Sequence, residues 1–402
     1  MSVTHPLPTS PKQLLPKAAY TSADWLEMEK QHLFSDTWMY AGVVGDYPEN
    51  GHYRTIKAGA YSLIVLRDKK GELKAFHNIC RHRGTELLEG EGQLKSTIVC
   101  PYHRWTFGLD GSLRGVPNQA ECFPGLDKSE NGLLTASVGI FKGIVFVHPQ
   151  ENPSLNFDAW LASLPDVAWP FDFETDGLVP SEEVTYEMKC NWKVFYENAI
   201  DGYHLAYLHE NTLGALYPNA NIWVEHGQHL VWYSTERDGE RHALPTLVED
   251  QLTKYRIKPF KEMPTDFGGV YMFFPTTIVT PNPYGVSISE LVPVAPGITH
   301  LKARSWAPKG RQGRFAGNVK SIPGYDKKRG VVTSDNWKKH PLETLDFQTE
   351  DVWVCEKQQR AMESPNFEIR HLAAGPGAES TIGHFQQCLL DFFPDGARIA
   401  AE

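Results

Sequence analysis

The sequence predicts an α+β chain in which a small all-β domain precedes a larger domain built on an antiparallel sheet. Short alternating runs of β-branched and aromatic residues, separated by Gly and Asp turns, fill the region 51–149. Beyond residue 160, further strand-like runs are interleaved with helical segments near 192–208 and 342–362, which is the pattern of an α+β domain.

Length and composition are those of a globular protein. The chain has 402 residues, of which 41% are hydrophobic, and a net charge of -10, so neither nucleic acid nor an anionic membrane is an expected partner. No apolar signal segment and no uncharged run of roughly 18 apolar residues is present. Six cysteines without regular spacing do not form a disulfide framework. A cytoplasmic protein with reduced thiols is therefore expected.

The first predicted element is one amphipathic helix over Thr21–Tyr40, with Ser22 or Asp24 as its cap. This segment is expected to pack on the larger domain. The expected domain limits are 1–40 for the helical segment, 41–150 for the small β domain and 151–402 for the larger domain.

The strands of both domains are predicted from alternating patterns. In the small domain they are expected at 52–59, 61–68, 73–79, 96–100, 105–115 and 139–149, with a hairpin turn at Leu109–Ser112. In the larger domain they are expected at 182–192, 229–237, 268–281, 286–296 and 300–308. No G-x-G-x-x-G motif follows a strand, so we expect no NAD or flavin on this chain.

Cysteine and histidine occur in two mixed pairs: Cys80 and His82 form a C-x-H motif, and Cys100 and His103 form a C-x-x-H motif. Thiolates with imidazoles suit zinc or an iron–sulfur cluster. Zinc fingers usually put the cysteines in one pair and the histidines in the other. The mixed order favours a two-iron cluster with both thiolates on one iron and both imidazoles on the other. Each residue taken alone would be explained as a surface histidine or a buried cysteine, but four of them at this spacing favour the cluster.

A second candidate metal site lies in the sequence NWKVFYENAIDGYHLAYLH, residues 191–209. Asp201 and His204 are three residues apart, a spacing that places two side chains on one face of a helix. His209 lies five residues beyond His204, so the helix must end or bend between them if both bind one ion. Two imidazoles and a carboxylate form the facial triad of non-haem Fe(II) oxygenases. Without further context, core histidines bonded to carboxylates explain such spacing more often.

The two motifs in this order resemble the catalytic (alpha) subunit of Rieske non-haem iron oxygenases, the aromatic-ring-hydroxylating family, over most of the chain. The resemblance implies a Rieske 2Fe–2S domain ahead of a helix-grip catalytic domain. It also implies that the cluster ligands are Cys80, His82, Cys100 and His103. Arg104 departs from the small residue that many members carry after the second cluster histidine, which bears on solvent exposure or reductase docking.

The resemblance implies the ligands of the mononuclear iron as well. His204 and His209 match two ligands, and the third is expected within FQTEDVWVCEKQQRAM at Asp351, with Glu350 as the alternative. Without the family pattern, such an acidic pair would be expected on the solvent-exposed face of a helix. Asp201 matches the family's bridging carboxylate, which hydrogen-bonds a ligand histidine and a cluster histidine of the neighbouring subunit.

The activity that the resemblance implies is that of a terminal oxygenase using O2 and external electrons to hydroxylate a small, aromatic substrate. The alternative substrate is a methylated ammonium of the choline or betaine type, or a methyl ether, which would be oxidatively demethylated. The implied cofactors are a Rieske 2Fe–2S cluster and a mononuclear Fe(II). The implied partners are a separate NAD(P)H-dependent reductase, with or without a ferredoxin, and further copies in a homotrimer, with or without beta subunits.

Substrate-pocket residues are expected on the catalytic sheet and the site helix, where aromatic side chains would sandwich an arene or cage a methylated ammonium. An aromatic stripe on a strand is more often core than pocket. The candidates are Asn191, which is also a candidate catalytic residue, Tyr196, Trp223, Tyr233, Tyr271, Phe273, Phe274 and Tyr284.

Two other classes of protein compete with the oxygenase. An electron-transfer protein would carry only the cluster, but it needs neither a facial triad nor a further large domain. A zinc-stabilised binding protein would carry neither redox site, and zinc would leave it colourless.

Overall fold

The computed structural model describes residues 13–213, 222–233, 268–282, 285–310, 319–368, 371–374 and 379–394. The described residues form two compact units that share no sheet. The first unit, called here the cluster unit, comprises Met28–Trp160 and Asp172–Asp176. The second, called the catalytic unit, comprises the described parts of Met1–Glu27, Leu161–Phe171 and Gly177–Glu402.

These limits differ from the predicted 41–150 because aromatic packing extends the cluster unit at both ends. The Trp38 ring lies 4.9 Å from that of Phe157, and the Phe146 ring lies 5.0 Å from that of Trp160. Residues on both sides of the predicted limits therefore share one core.

The predicted helix over Thr21–Tyr40 is shorter and broken. It consists of α1 (Ala18–Thr21), α2 (Ala23–Met28) and a π-helical turn (Glu29–Leu33). The Ser22 Oγ accepts the N–H of Trp25 at 3.4 Å, the capping role expected for this residue. Met39 and Tyr40, which the pattern had placed in the helix, belong to a strand.

The cluster unit is all-β apart from short helical segments. One sheet of seven strands has the order β1-β10-β9-β4-β3-β2-β5, and a second has the order β6-β7-β8. The strands are β1 (Met39–Val43), β2 (His52–Ala58), β3 (Tyr61–Arg67), β4 (Leu73–His77), β5 (Glu91–Gln93), β6 (Thr97–Val99), β7 (Thr106–Gly108), β8 (Leu113–Gly115), β9 (Thr135–Phe141) and β10 (Ile144–His148). The short helices are α3 (Gln119–Cys122) and α4 (Phe157–Leu161). The hairpin turn predicted at Leu109–Ser112 joins β7 to β8.

The catalytic unit is built on a nine-stranded sheet with the order β12-β13-β14-β15-β16-β17-β11-β19-β18. All pairs are antiparallel except β11 with β19. The strands are β11 (Leu178–Met188), β12 (Ile222–His226), β13 (His229–Tyr233), β14 (Gly268–Phe273), β15 (Thr277–Asn282), β16 (Gly285–Ala295), β17 (Ile298–Pro308), β18 (Tyr325–Asp326) and β19 (Val331–Thr333). The run predicted as one strand over 268–281 is thus two strands, β14 and β15.

Besides α1 and most of α2, this unit contains the described helices α5 (Trp192–Ile200), α6 (Leu205–Leu208), α7 (Phe347–Met362) and α8 (Ser380–Leu390). The predicted α+β class, with an all-β domain ahead of a domain with a large antiparallel sheet, is confirmed. Within the described ranges, every helix is too short or too polar to cross a bilayer.

Candidate metal centres

Two loops of the cluster unit carry the paired cysteines and histidines, and they have the same hydrogen-bond pattern. In each loop the cysteine N–H donates to the carbonyl five residues ahead, and the cysteine carbonyl accepts from the N–H four residues ahead. The bonds are Cys80 N to Thr85 O at 2.8 Å, Gly84 N to Cys80 O at 3.0 Å, Cys100 N to Trp105 O at 2.8 Å and Arg104 N to Cys100 O at 3.1 Å. Both loops are therefore tight turns that present their side chains from matching backbones.

The four candidate cluster ligands lie together at these loops. Cys80 and Cys100 are 3% and 1% exposed, and the rings of His82 and His103 have centroids 4.7 Å apart. The Nδ1 atoms of both histidines are buried without a hydrogen-bond partner in the described chain. A buried nitrogen without a partner is costly, so these atoms suit metal ligation.

The second candidate centre lies where two helices of the catalytic unit, α6 and α7, come together. His204 directly precedes the one-turn helix α6, His209 directly follows it, and Asp351 lies near the start of α7. The expectation that Asp201 and His204 share a helix face is wrong, because α5 ends at Ile200. Asp201 instead follows that helix, and its Oδ1 accepts the N–H of Tyr203 at 2.6 Å.

Both histidines turn Nε2 toward Asp351. The Oδ1 atom of Asp351 lies 2.9 Å from Nε2 of His209 and 3.6 Å from Nε2 of His204. Burial raises the pKa of the Asp351 carboxyl, but the two imidazoles outweigh it and lower the pKa to about 2. Two imidazoles and one ionised carboxylate are a donor set that suits Fe(II).

Carboxylates also face the opposite ring nitrogens. Asp201 Oδ2 lies 3.3 Å from Nδ1 of His204, although that nitrogen has no well-aligned hydrogen bond in the described chain. Burial lowers the pKa of His204, but Asp201 and Asp351 outweigh it and raise the pKa to about 9. The second pair is better aligned, with Glu350 Oε2 2.7 Å from Nδ1 of His209. Such outer carboxylates fix the tautomer and orientation of ligand histidines.

The geometry separates the two alternatives for the third ligand. Glu350 is 1% exposed, contacts the far side of the His209 ring and accepts a second hydrogen bond from Thr212 Oγ1 at 2.7 Å. Asp351 alone of the pair contacts the nitrogens that converge on the candidate metal position. The arrangement therefore favours Asp351 as the ligand and Glu350 as the residue that orients His209.

Asn198 is a site residue that the sequence reasoning missed. Its Nδ2 donates to Asp351 Oδ1 at 2.9 Å, which fixes the carboxylate from the α5 side. The signal was present, since Asn198 lies within the segment 191–209, three residues before Asp201.

Asn191, proposed as a catalytic or pocket residue, has a structural place instead. It is the N-cap of α5: its Oδ1 accepts the N–H of Lys193 at 3.0 Å, and its Nδ2 donates to Pro296 O at 2.7 Å. It is 2% exposed. With both polar atoms engaged, it is not available to a substrate.

Most of the described aromatic candidates are core residues. Tyr196 stacks on Phe385 with centroids 4.0 Å apart, and the Tyr271 hydroxyl donates to a main-chain carbonyl at 2.8 Å. Phe273 and Phe274 are each 1% exposed. Trp223 is half-buried. Tyr284 and the side chain of Tyr233 lie outside the described residues.

Two family models match the chain. The model described as ring hydroxylating alpha subunit (catalytic domain) matches residues 175–394. The model described as Rieske [2Fe-2S] domain matches residues 37–134.

Similar proteins of known activity include oxygenases for two kinds of substrate. The glycine betaine monooxygenase oxygenase subunit of Pseudomonas aeruginosa is 33% identical over 204 residues, or 50% of this chain and 46% of that protein. The chloroplastic choline monooxygenase of Spinacia oleracea is 27% identical over 363 residues, or 88% of this chain and 72% of that protein. The anthranilate 1,2-dioxygenase large subunit of Acinetobacter baylyi is 30% identical over 217 residues, or 52% of this chain and 45% of that protein. The chain thus spans about half the length of the first of these relatives.

Solved structures share the fold. The quaternary ammonium Rieske monooxygenase CntA in complex with L-carnitine superposes with a TM-score of 0.72 at 22% identity, covering 96% of this chain and 97% of that chain. Naphthalene 1,2-dioxygenase from Rhodococcus sp. superposes with a TM-score of 0.64 at 19% identity, covering 94% and 93%.

Proposed function

Since this chain belongs to the family of ring-hydroxylating alpha subunits and carries a Rieske domain ahead of the catalytic domain, we propose that it is the terminal oxygenase of a multicomponent enzyme. The observation that carries the proposal is the convergence of His204, His209 and Asp351 in a chain that also presents two matched cysteine–histidine loops. An electron carrier would have no use for the first group, and the order of the second, with one cysteine and one histidine in each loop, favours a two-iron cluster over zinc.

The residues that would hold the two cofactors follow from the geometry. Cys80, Cys100, His82 and His103 would bind the 2Fe–2S cluster, and the buried Nδ1 atoms of the histidines fit that role. His204, His209 and Asp351 would bind the mononuclear iron. When bound, the iron supplies the activation of O2 and the cluster supplies single electrons.

The protein's part in the reaction is placement. Glu350 is hydrogen-bonded to the outer nitrogen of His209 and Asp201 lies beside that of His204, while both Nε2 atoms face Asp351. Asn198 donates to Asp351 and restrains its carboxylate to one orientation. Asp201 is 15% exposed, which leaves it able to meet a cluster histidine of a neighbouring subunit, the bridging role expected for it.

For the substrate, we favour a small methylated ammonium compound over the aromatic substrate that the sequence resemblance implies. Glycine betaine, carnitine and choline monooxygenases all match this chain, and the choline enzyme matches 88% of it. A permanent cation is recognised by aromatic faces. Trp223, the described aromatic candidate that is not fully buried, is suited to such a contact.

Ring hydroxylation is the second candidate. It is favoured by the 30% identical anthranilate dioxygenase and by the match to the ring hydroxylating alpha subunit family over residues 175–394. The two activities give different products: N-demethylation of glycine betaine releases formaldehyde, whereas oxidation of anthranilate leaves a hydroxylated ring product.

The proposed partners are a separate NAD(P)H-dependent reductase, with or without a ferredoxin, and two further copies of this chain in a homotrimer. The association of copies is supported by the report of inter-subunit electron transfer for the structurally similar quaternary ammonium monooxygenase. The presence of beta subunits and the cytoplasmic location stay predictions.

The proposed function is tested by three measurements on the protein purified under anaerobic conditions. We expect a red-brown visible spectrum, about three irons per chain, and NADH consumption that matches product when a reductase is added. Glycine betaine, carnitine, choline and anthranilate are compared as substrates. A colourless zinc protein would exclude the proposal, and about two irons per chain without turnover would indicate the electron carrier.

A further inference from the structure

One cysteine–histidine pair takes no part in either candidate iron centre. His384 and Cys388 are four residues apart on α8, a spacing that places two side chains on one face of a helix. The Nε2 atom of His384 lies 3.6 Å from the Sγ atom of Cys388. Both residues belong to the catalytic unit, so the pair is complete within one copy of the chain.

The distance between these two atoms is that of neighbouring ligands on one metal ion. A tetrahedral zinc with a Zn–S bond of about 2.3 Å and a Zn–N bond of about 2.0–2.1 Å holds its sulfur and nitrogen about 3.5–3.6 Å apart. A hydrogen bond from the thiol to the imidazole has a similar length, so this distance alone does not decide between the two. The other side of the histidine ring favours the metal.

A carboxylate faces that other side. The Oε2 atom of Glu225, on strand β12, lies 3.3 Å from Nδ1 of His384. A metal-bound histidine almost always donates its second ring N–H to such a group, which fixes the ring and makes the imidazole a stronger ligand. With the proton on Nδ1, the nitrogen on the side of Cys388 carries the lone pair. The candidate mononuclear centre has the same arrangement, with Glu350 beyond the ring of His209.

The thiol of this pair is not a free nucleophile. Cys388 is 8% exposed, and burial, Asp391 and Glu225 raise the pKa of its thiol to about 12. Reactive cysteines instead have a lowered pKa in electropositive surroundings. A metal ion removes the proton on binding, because a coordinating thiol is deprotonated. A thiolate and an imidazole together suit zinc and other soft metal ions.

We propose that Cys388 and His384 bind a soft divalent metal ion such as Zn(II), with Glu225 as the carboxylate that orients the histidine. The described residues supply two ligands, and water would complete the coordination. On binding, the metal–sulfur bond forms, the S–H bond breaks and one proton passes from the thiol to solvent. The ion would fasten α8 to β12 through His384 and Glu225. None of these residues belongs to an iron centre, so the inference goes beyond the proposed function.

The test adds cadmium chloride to the iron-loaded protein under anaerobic conditions and records the ultraviolet thiolate-to-cadmium charge-transfer band. Cadmium is a soft ion like zinc, and the mononuclear centre offers it no sulfur. A weak chelator such as citrate keeps cadmium from a lone thiol. We expect the band to saturate at about one cadmium per chain. Zinc should abolish the band by competition and should raise the unfolding temperature of the wild type.

Three variants assign the band to this site. Cys388→Ser should remove the band and the effect of zinc on unfolding. Glu225→Gln should weaken cadmium binding by about tenfold, because the charge beside the outer nitrogen is lost. Glu225 is 60% exposed, so its substitution should leave the fold intact. The matched control is Cys122→Ser: Cys122 is an exposed thiol on α3 without an imidazole partner among the described residues, and its loss should leave the band unchanged.

Four results would overturn the inference: no charge-transfer band in the wild type, a band that persists in Cys388→Ser, equal affinities for wild type and Glu225→Gln, or loss of the band in Cys122→Ser. Rapid alkylation of Cys388 by iodoacetamide at neutral pH would also overturn it, because the thiol would then be a reactive nucleophile. Since the comparison is between variants, it holds equally for protein that lacks the red-brown spectrum, so failure of the proposed function stays distinct.

Discussion

His209 Nε2 lies 2.9 Å from Asp351 Oδ1, although 142 residues separate the two in the chain. The first comes from the segment after a one-turn helix and the second from the start of a long helix. The contact joins two distant parts of the catalytic unit at the point where a metal ion would bind.

Removal of Asp351 should empty the mononuclear site and leave the cluster intact. We expect the iron content to fall from about three per chain in the wild type to about two in Asp351→Ala, with an unchanged red-brown spectrum and no turnover. Iron analysis and visible spectroscopy of the same sample make the measurement. Retention of the third iron would show that Asp351 is not a ligand.

Glu350→Gln should weaken iron binding without abolishing it. The amide oxygen can still accept from His209 Nδ1, but the charge that makes the imidazole a stronger ligand is lost, so we expect a loss of about tenfold in Fe(II) affinity. Anaerobic titration with Fe(II) measures it. Glu356→Gln is the matched control: this buried acid of the same helix accepts a main-chain N–H instead. Equal affinities in both variants would argue against an orienting role for Glu350.

Asp201→Asn should separate metal binding from turnover. The asparagine oxygen can still accept the Tyr203 N–H, so the loop and both metals should be retained. We expect most of the turnover to be lost, because a neutral amide cannot serve as the charged bridge between two imidazoles. Iron content and product formation are measured together, and full activity would exclude the bridging role.

Glu197 should make the stability of the protein depend on pH. Its Oε1 accepts from the Tyr20 hydroxyl at 2.7 Å and from Gln386 Nε2 at 2.8 Å. Burial raises the pKa of Glu197 from 4.5 to about 7, although these two hydrogen bonds and Lys193 oppose it. Between these pH values the folded protein keeps a proton that the unfolded chain has released, so stability falls as the pH rises through this window.

Glu197→Gln removes this titration and keeps an acceptor for both hydrogen bonds. Between pH 5 and pH 7.5 the free energy of unfolding should fall less in the variant than in the wild type, and the two falls should differ by up to about 3 kcal/mol. Denaturant unfolding at several pH values measures the difference. Parallel pH profiles for the two proteins would contradict the assignment of this proton to Glu197.

The sequence was most informative where the site is local. The cysteine–histidine pairs and the two histidines of 191–209 could be found because short loops bring them together within a few residues. Asp351 required the family pattern, since spacing cannot report a contact across 142 residues. The choice between Asp351 and Glu350 depends on which ring nitrogen each faces, which only the folded structure decides.

Two errors have simple physical causes. Asn191 is expected in the pocket because it lies on the site helix, but an asparagine directly before an apolar helical run is also a common N-cap. Asp201 and His204 were placed on one helix because their spacing fits, yet the helix ends one residue before Asp201.

The single turn of α6 between His204 and His209 has an evolutionary consequence. An insertion or deletion of one residue there would rotate one imidazole by roughly 100° about the helix axis relative to the other. The length of this segment is therefore fixed for any descendant that keeps its metal. Divergence toward new substrates must come from parts of the chain whose length can change without separating these two histidines.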